Sequence, residues 1–295
     1  MISVIIPTHN RIKALQNCLI SLFAQTLLPQ EIIVIVDSSN DGTKNYLLGL
    51  GAKIKVVNHE QNLGQSEARN SGIKIAQGDV LVFIDDDCTA KPDWLEQIQK
   101  TLTQTQAEVI IGKTIYVAEN YKGYFPERTV GNNNGTWPGS GNIAYKKLVF
   151  NKIGLFNPLF DEYHNEDSEL AIRAVQMNTK FVQAPEVIVY HQKTYWTTPS
   201  LVASAKNAAV WVIFKKLYPL HYNYFSSPVW KGLIINPLDY LFILGLPIIL
   251  PILFGRYLWN GQRNFKIFFT KWPVLLFLRR WYIYKEAWRQ KIWMV

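Results

Sequence analysis

Val80-Leu81-Val82-Phe83-Ile84-Asp85-Asp86-Asp87 is the stretch whose reading decides the fold of this chain. Five apolar residues in a row are enough for a short buried strand. Three carboxylates at its end are too costly to bury unless positive charge neutralises them. Side chains alternate along an extended chain, so Asp85 and Asp87 are expected on one face and Asp86 on the other. Paired oxygen ligands at a strand end suit a hard divalent cation, Mg²⁺ or Mn²⁺, which in turn holds a diphosphate. An acidic turn after a strand is the plainer reading, and the flanking sequence decides between the two.

Outward from that strand, residues 1–115 alternate strand-like and helix-like segments. Strands are expected at Ser3–Pro7, Glu31–Asp37, Ile54–Asn58, Val80–Asp85 and Val109–Val117, with helices at Arg11–Gln25, Thr43–Leu50, Ser66–Gln77 and Pro92–Gln104. Such alternation implies an α/β fold with a doubly wound, mostly parallel sheet. Ligands of these sheets lie outside the carboxyl ends of the strands, where Thr8-His9-Asn10, Asp37 and Asp85–Asp87 fall. Residues 118–145 read as a glycine-rich working loop with Gly123, Gly131, Gly135, Gly139 and Gly141. Helices are then expected at Lys146–Ile153 and Asp167–Met177, and strands at Lys180–Gln183 and Val187–Tyr190.

The net charge of +9 over 295 residues points to nucleic acid only until it is located. Residues 201–295 hold 13 Lys and Arg against two acids, Asp239 and Glu286, a net +11; residues 1–200 are slightly acidic at −2. The same final third holds seven of the ten tryptophans. Basic and Trp-rich together fit an anionic membrane surface, and no nucleic-acid-binding motif accompanies the charge. Met1 runs straight into the strand-like Ile2–Ile6, so no signal peptide is expected. Cys18 and Cys88 form neither a metal-ligand spacing nor a disulfide framework, which suits a reducing, cytoplasmic setting.

Ile234–Phe254 is strongly apolar but broken by Pro237, Pro247 and Pro251. It is close to the ~20 residues of a membrane span, yet prolines break a straight helix, so a re-entrant or in-plane segment is expected. Downstream, Phe277, Trp281, Tyr284, Trp288 and Ile292 recur at helical spacing among Arg279, Arg280, Lys285, Arg289 and Lys291. That is the pattern of an interfacial helix. The division expected is an α/β domain over 1–200, in two parts at 1–115 and 116–200, then a helical, membrane-associating region over 201–295.

Five ordered features carry a resemblance: Val4-Ile5-Ile6-Pro7-Thr8-His9-Asn10-Arg11; Asp37 with Asp41-Gly42-Thr43; Asn62-Leu63-Gly64 with Ala68-Arg69-Asn70; Asp85–Asp87; and Glu166-Asp167-Ser168-Glu169-Leu170. Over roughly residues 1–195 the chain resembles the family 2 glycosyltransferases, inverting enzymes of the GT-A fold. The resemblance implies that Pro7, Thr8 and Asn10 line the nucleotide and that Asp37 accepts a base N–H. Arg69, Asp85 and Asp86 join the nucleotide-sugar side. Asp87, with Asp85 and His191, would hold Mn²⁺ or Mg²⁺. Asp167 would be the catalytic base, with Glu166 the rival one residue away. Trp137, Gly141 and Asn142 look like the acceptor-side floor, where small residues permit close approach and an aromatic stacks on a sugar.

One departure narrows the subclass. Processive relatives carry Gln-x-x-Arg-Trp, and here Gln192-Lys193-Thr194-Tyr195-Trp196 has Tyr195 in place of the arginine. The expectation is an enzyme at the cytoplasmic face of a membrane. It adds one sugar per encounter from a nucleotide-diphosphate sugar to a membrane- or lipid-linked acceptor in polysaccharide synthesis. The alternatives are a nucleotidyltransferase that makes nucleotide sugars and a membrane-surface binding module with an inactive core.

Overall fold

The structure, a computed structural model, describes residues 1–116, 127–128, 137–192, 194–195, 197–224 and 272–292, with isolated positions between 251 and 269. Strand β1 (Ile2–Thr8) leads into α1 (Ile12–Phe23), β2 (Glu31–Asp37), α2 (Thr43–Gly49), β3 (Lys55–His59), α3 (Gly64–Ile75) and β4 (Val80–Ile84). Next come β5 (Cys88–Ala90), α4 (Trp94–Thr105), β6 (Val109–Tyr116), the short β7 (Glu127–Arg128) and β8 (Asn142–Lys146). Then follow α5 (Lys147–Ile153), a 3₁₀ helix Pro158–Tyr163, α6 (Glu166–Gln176) and β9 (Phe181–His191). The remaining described elements are β10 (Thr194–Tyr195), α7 (Thr198–Asn207), α8 (Val210–Leu217) and α9 (Trp272–Gln290). The chain divides into two compact units, residues 1–117 with 130–192 and residues 118–129 with 193–295.

The first unit is built on one eight-stranded sheet in the order β3-β2-β1-β4-β8-β6-β9-β5. Strands β3, β2, β1 and β4 pair in parallel, β8 runs antiparallel between β4 and β6, and β5 is antiparallel to β9. The sheet is therefore mostly parallel, as the βαβ alternation implied. Every residue of β4 is buried, because helices cover both faces of such a sheet. Leu15, Cys18, Leu19 and Leu22 of α1 fall on one face and enter the same core as Val4, Ile6, Val34 and Val82.

Three expectations need correction. The segment 118–145 is not loop throughout: Asn142–Lys146 is an interior strand, almost wholly buried, so it shows no alternation that sequence could reveal. The two strands expected at Lys180–Gln183 and Val187–Tyr190 are one strand, β9. Pro185 falls where the pairing with β6 slips, from Gly112↔Ala184 to Lys113↔Ile188. An irregularity is where a strand tolerates proline. Finally, β4 stops at Ile84, and the Cys88 N–H donates to the Asp85 carbonyl at 3.1 Å. The three acids thus sit on a turn, where strand alternation does not apply. The positions 123, 131 and 135 and the apolar run 234–254, apart from positions 251 and 254, lie outside the described residues.

In the second unit, Thr197 caps α7 through a reciprocal pair with Ser200. Helix α9 packs on α7 and α8, turning Arg280, Ile283, Glu286 and Ala287 inward. Its opposite side leaves Val274, Phe277, Trp281 and Trp288 exposed, Trp288 to 88%. Among the described residues no helix is long and apolar enough to cross a membrane.

Candidate active site

The carboxyl ends of β1, β2 and β4 converge on the acidic turn. Asp86 is buried and accepts from the Thr8 hydroxyl at 2.7 Å and from Arg11 Nη1 at 3.1 Å. Burial outweighs these favourable contacts and pushes its carboxyl up to about 6. Asp87 divides its two oxygens: Oδ2 takes Arg11 Nη1 at 2.8 Å, and Oδ1 lies 3.3 Å from His191 Nε2. Burial, then the neighbouring Asp85 charge, raise its pKa against the pull of His191 and Arg11. Asp85 faces the other way, toward Arg69 Nη2 at 3.1 Å.

Arg69 is the hinge of the site. It is 2% exposed, and its Nη1 reaches Glu166 Oε1 at 2.8 Å. One guanidinium therefore joins the turn after β4 to the start of α6. The Phe156 ring lies 5.6 Å from its central carbon, and its Nε has no acceptor. A charge this buried survives because Glu166 and Asp85 outweigh the desolvation cost and raise its pKa.

Glu166, itself buried, is thereby committed to Arg69. Asp167 is not. Its Oδ1 accepts the Ser168 N–H at 2.6 Å and its Oδ2 faces the Ser140 N–H at 3.4 Å. Burial first, then the Glu166 charge, push its carboxyl up to about 7, against Arg69. Ser140 belongs to the turn Trp137–Asn142, closed by the Asn142 N–H on the Gly139 carbonyl at 3.2 Å. A β-carbon on Gly141 would stand 2.7 Å from Asp85 Oδ2, so only glycine lets this turn lie against the acid. The turn thus touches both acidic clusters.

On the far side, Asp37 is buried and nearly saturated. It accepts from the N–H groups of Leu63 at 2.9 Å and Gly64 at 3.0 Å, and pairs with His59 Nδ1 at 2.8 Å. His59 Nε2 in turn lies 3.0 Å from the Ser71 hydroxyl. A carboxylate offers about four acceptor positions, so one remains. Asn10 adopts a left-handed φ of 53° and ties two loops together, its N–H on Ser39 Oγ at 2.9 Å and its Oδ1 under the Asn40 N–H at 2.8 Å. Pro7 lies opposite Ile35, one residue before the paired stretch of β1 ends at Thr8.

Among the described residues, Asp87, Cys88 and His191 bring potential metal-ligand atoms within 4.8 Å of one another. Asp85, expected as a ligand, is not in that group. Cys88 is fully buried, burial pushes its thiol well above its ordinary value, and a thiol is a soft ligand poorly matched to a hard cation. The set that fits a hard cation is the Asp87 carboxylate and the His191 imidazole, whose ring stacks on Tyr116 at 4.8 Å.

Asn142, expected to face an acceptor, is an interior hub. It accepts from Trp94 Nε1 at 2.9 Å and donates to the carbonyls of Lys113 and Val187, each at 2.9 Å. Trp137 is half-buried beside Gly139. Sequence reading assigns no role to Arg11, His59 or Asp161, the last of which accepts from the Ser66 N–H at the start of α3. Arg11 did leave a signal: a cation at a helix start is unfavourable unless an acid holds it.

The glycosyl transferase family 2 profile matches residues 3–166. An uncharacterized glycosyltransferase, YwdF, of Bacillus subtilis is 30% identical over 59% of this chain and 68% of its own. A glucosyl-dolichyl phosphate glucuronosyltransferase of Haloferax volcanii is 29% identical over 52% of this chain and 55% of its own. In fold, the chain is similar to S. aureus TarS, with a TM-score of 0.56 at 19% identity, over 97% of this chain and 53% of that one. The chain therefore spans about half the length of the Haloferax protein and of TarS. The nucleotidyltransferase alternative gives way: the family match and the relatives show that this chain is a glycosyltransferase belonging to glycosyl transferase family 2.

Proposed function

We propose that the protein transfers one sugar from a nucleotide-diphosphate sugar to an acceptor hydroxyl with inversion, Asp167 being the base. The observation that carries this is the contrast between two adjacent acids. Glu166 is tied to Arg69, whereas Asp167 has a carboxyl pushed up to about 7 and turned toward the Ser140 turn. A base of that pKa suits proton transfer near neutrality. The acceptor O–H proton passes to Asp167 as the acceptor oxygen bonds to the anomeric carbon. The anomeric C–O bond to the diphosphate breaks on the opposite face. Asp37, through its remaining acceptor position, takes an N–H of the base, which admits uracil, thymine or guanine. Asp87 and His191 would hold Mn²⁺ or Mg²⁺, which when bound would supply charge relief for a leaving diphosphate.

A thermal-shift screen of nucleoside diphosphates with Mn²⁺ tests the reading. A bound ligand at a hundred times its dissociation constant stabilises by about 2.7 kcal/mol, and Asp87→Ala should erase the Mn²⁺-dependent part. Full transfer activity in excess EDTA would sink the metal assignment.

The acceptor we infer is membrane-held, such as a polyprenyl-linked sugar, met at the cytoplasmic face during polysaccharide synthesis. The exposed Phe277, Trp281 and Trp288 of α9, with Arg279, Lys285 and Arg289 also exposed, suit the headgroup region of an anionic bilayer. The dolichyl-phosphate substrate in the name of the Haloferax relative supports the same class. Trp281→Ala with Trp288→Ala should weaken sedimentation with anionic liposomes at low salt. Wild-type protein that stays in the supernatant would favour a soluble acceptor.

A further inference from the structure

Arg11 is held in place without being used up. Its Nη1 serves both Asp86 Oδ1 at 3.1 Å and Asp87 Oδ2 at 2.8 Å. A guanidinium carries five N–H donors in one plane, and those on Nε and Nη2 meet no acceptor among the described residues. The side chain is 55% exposed at the mouth of the site, while both its anchors are much more buried. Asp86 is fixed in turn by the Thr8 hydroxyl, so the arginine stands on a rigid base.

The division of Asp87 gives this arrangement a direction. One oxygen faces His191, where the cation-binding set lies, and the other faces Arg11. A cation held there has a guanidinium as its neighbour across one carboxylate. Asp85 adds its charge from farther off, but its carboxylate is turned to Arg69, so the oxygens that touch the guanidinium are those of Asp86 and Asp87. A planar fork with open donors next to a divalent cation matches a phosphate oxygen.

We propose that Arg11 is a further catalytic residue that grips the leaving diphosphate through Nε and Nη2, and that Asp86 serves to anchor Arg11 rather than to hold the cation. The proposal rests on the nucleotide-sugar reading above. It assigns distinct tasks to the three acids: Asp85 to Arg69, Asp86 to Arg11, Asp87 to the cation.

The test is calorimetric titration of UDP against UMP, and of GDP against GMP, with Mn²⁺ present. Removing one charge-assisted contact should weaken the diphosphate by about 10- to 100-fold in Arg11→Met, leaving the monophosphate nearly unchanged. Arg11→Lys should recover part of the loss, and Asp86→Asn should weaken the diphosphate in the same sense. Mn²⁺ titrated alone should bind Arg11→Met at least as tightly as wild type. A structural role would lower both affinities together, and that equal loss, or no loss, overturns the proposal. If Arg11→Met does not fold, Arg11→Lys carries the same diphosphate-to-monophosphate comparison. Wild-type protein that binds none of the four nucleotides would overturn the donor reading as well. Tight wild-type diphosphate binding with an unselective variant overturns Arg11 alone.

Discussion

Asp85–Asp87 on the turn after β4 and the adjacent Glu166 and Asp167 at the start of α6 are five carboxylates, and the fold treats the two clusters differently. In the turn, each acid has a cationic side chain at hydrogen-bond or ion-pair distance: Arg69 for Asp85, Arg11 for Asp86 and Asp87, with His191 beyond. Of the α6 pair only Glu166 has one; Asp167 makes do with two serine N–H groups and the Ser168 hydroxyl. Charge compensation separates acids that hold structure or ligands from the one left to take a proton. Two arginines on different elements make that separation, and the acids alone do not reveal it.

The sharpest way to break the comparison is at the α6 pair. Asp167→Asn should lower turnover by roughly 10²–10⁴-fold, the contribution of a positioned base, with nucleoside diphosphate affinity preserved. Glu166→Gln should instead act through Arg69 and lower stability. The reverse pattern would move the base by one residue. The same contrast has a pH signature. The folded carboxyl of Asp167 sits at about 7, so turnover should rise with pH through about 7 and level above it. An acid whose pKa is raised by folding contributes stability that is present below its unfolded value of about 3.9 and lost as pH rises through the folded value. Denaturant midpoints measured across that window should fall less in Asp167→Asn than in wild type.

Next in size is the link between the clusters. Arg69→Met leaves Asp85 and Glu166 unpaired, and breaking a buried pair this way costs about 3–5 kcal/mol, to be read from chemical denaturation. An unchanged midpoint would mean that the bridge does not hold the clusters together. The smallest effect expected is at Gly141. Its β-carbon would press on Asp85 Oδ2, and Arg69 leaves that acid little room to shift. Gly141→Ala should therefore cost about 1–3 kcal/mol as overpacking and weaken nucleotide binding alongside. A neutral Gly141→Ala would show the turn to be looser than its geometry implies.

The N-terminal half of the fold was legible because each βαβ unit announces itself locally. Glu31–Asp37 was read to the residue, since an apolar run ending in an acid has a visible edge. Strand β8 was not, because its partners β4 and β6 are distant in sequence and it is buried without alternation. In the site, the acids were visible as a motif. Their pairings were not: Arg11 and Arg69 lie 75 and 16 residues from the acids they meet in the turn, and Arg69 lies 97 from Glu166. Hydrophobic pattern carries local geometry; pairing of charges across a sheet depends on topology that no window of sequence contains.

The placement of β8 also sets an order of assembly. Strands β1 to β4 are complete once Ile84 has been made, yet the outer edge of β4 finds its partner only when Asn142–Lys146 arrives. Until then five apolar residues present an unpaired edge, the kind that templates aggregation. Chains grow from the N-terminus, so the nascent enzyme passes through a stage in which the strand leading to its acids is its most adhesive surface. A translation product halted between the two strands would need a chaperone more than any longer one, and the last residues to rescue it are those that lay the floor beside Asp85.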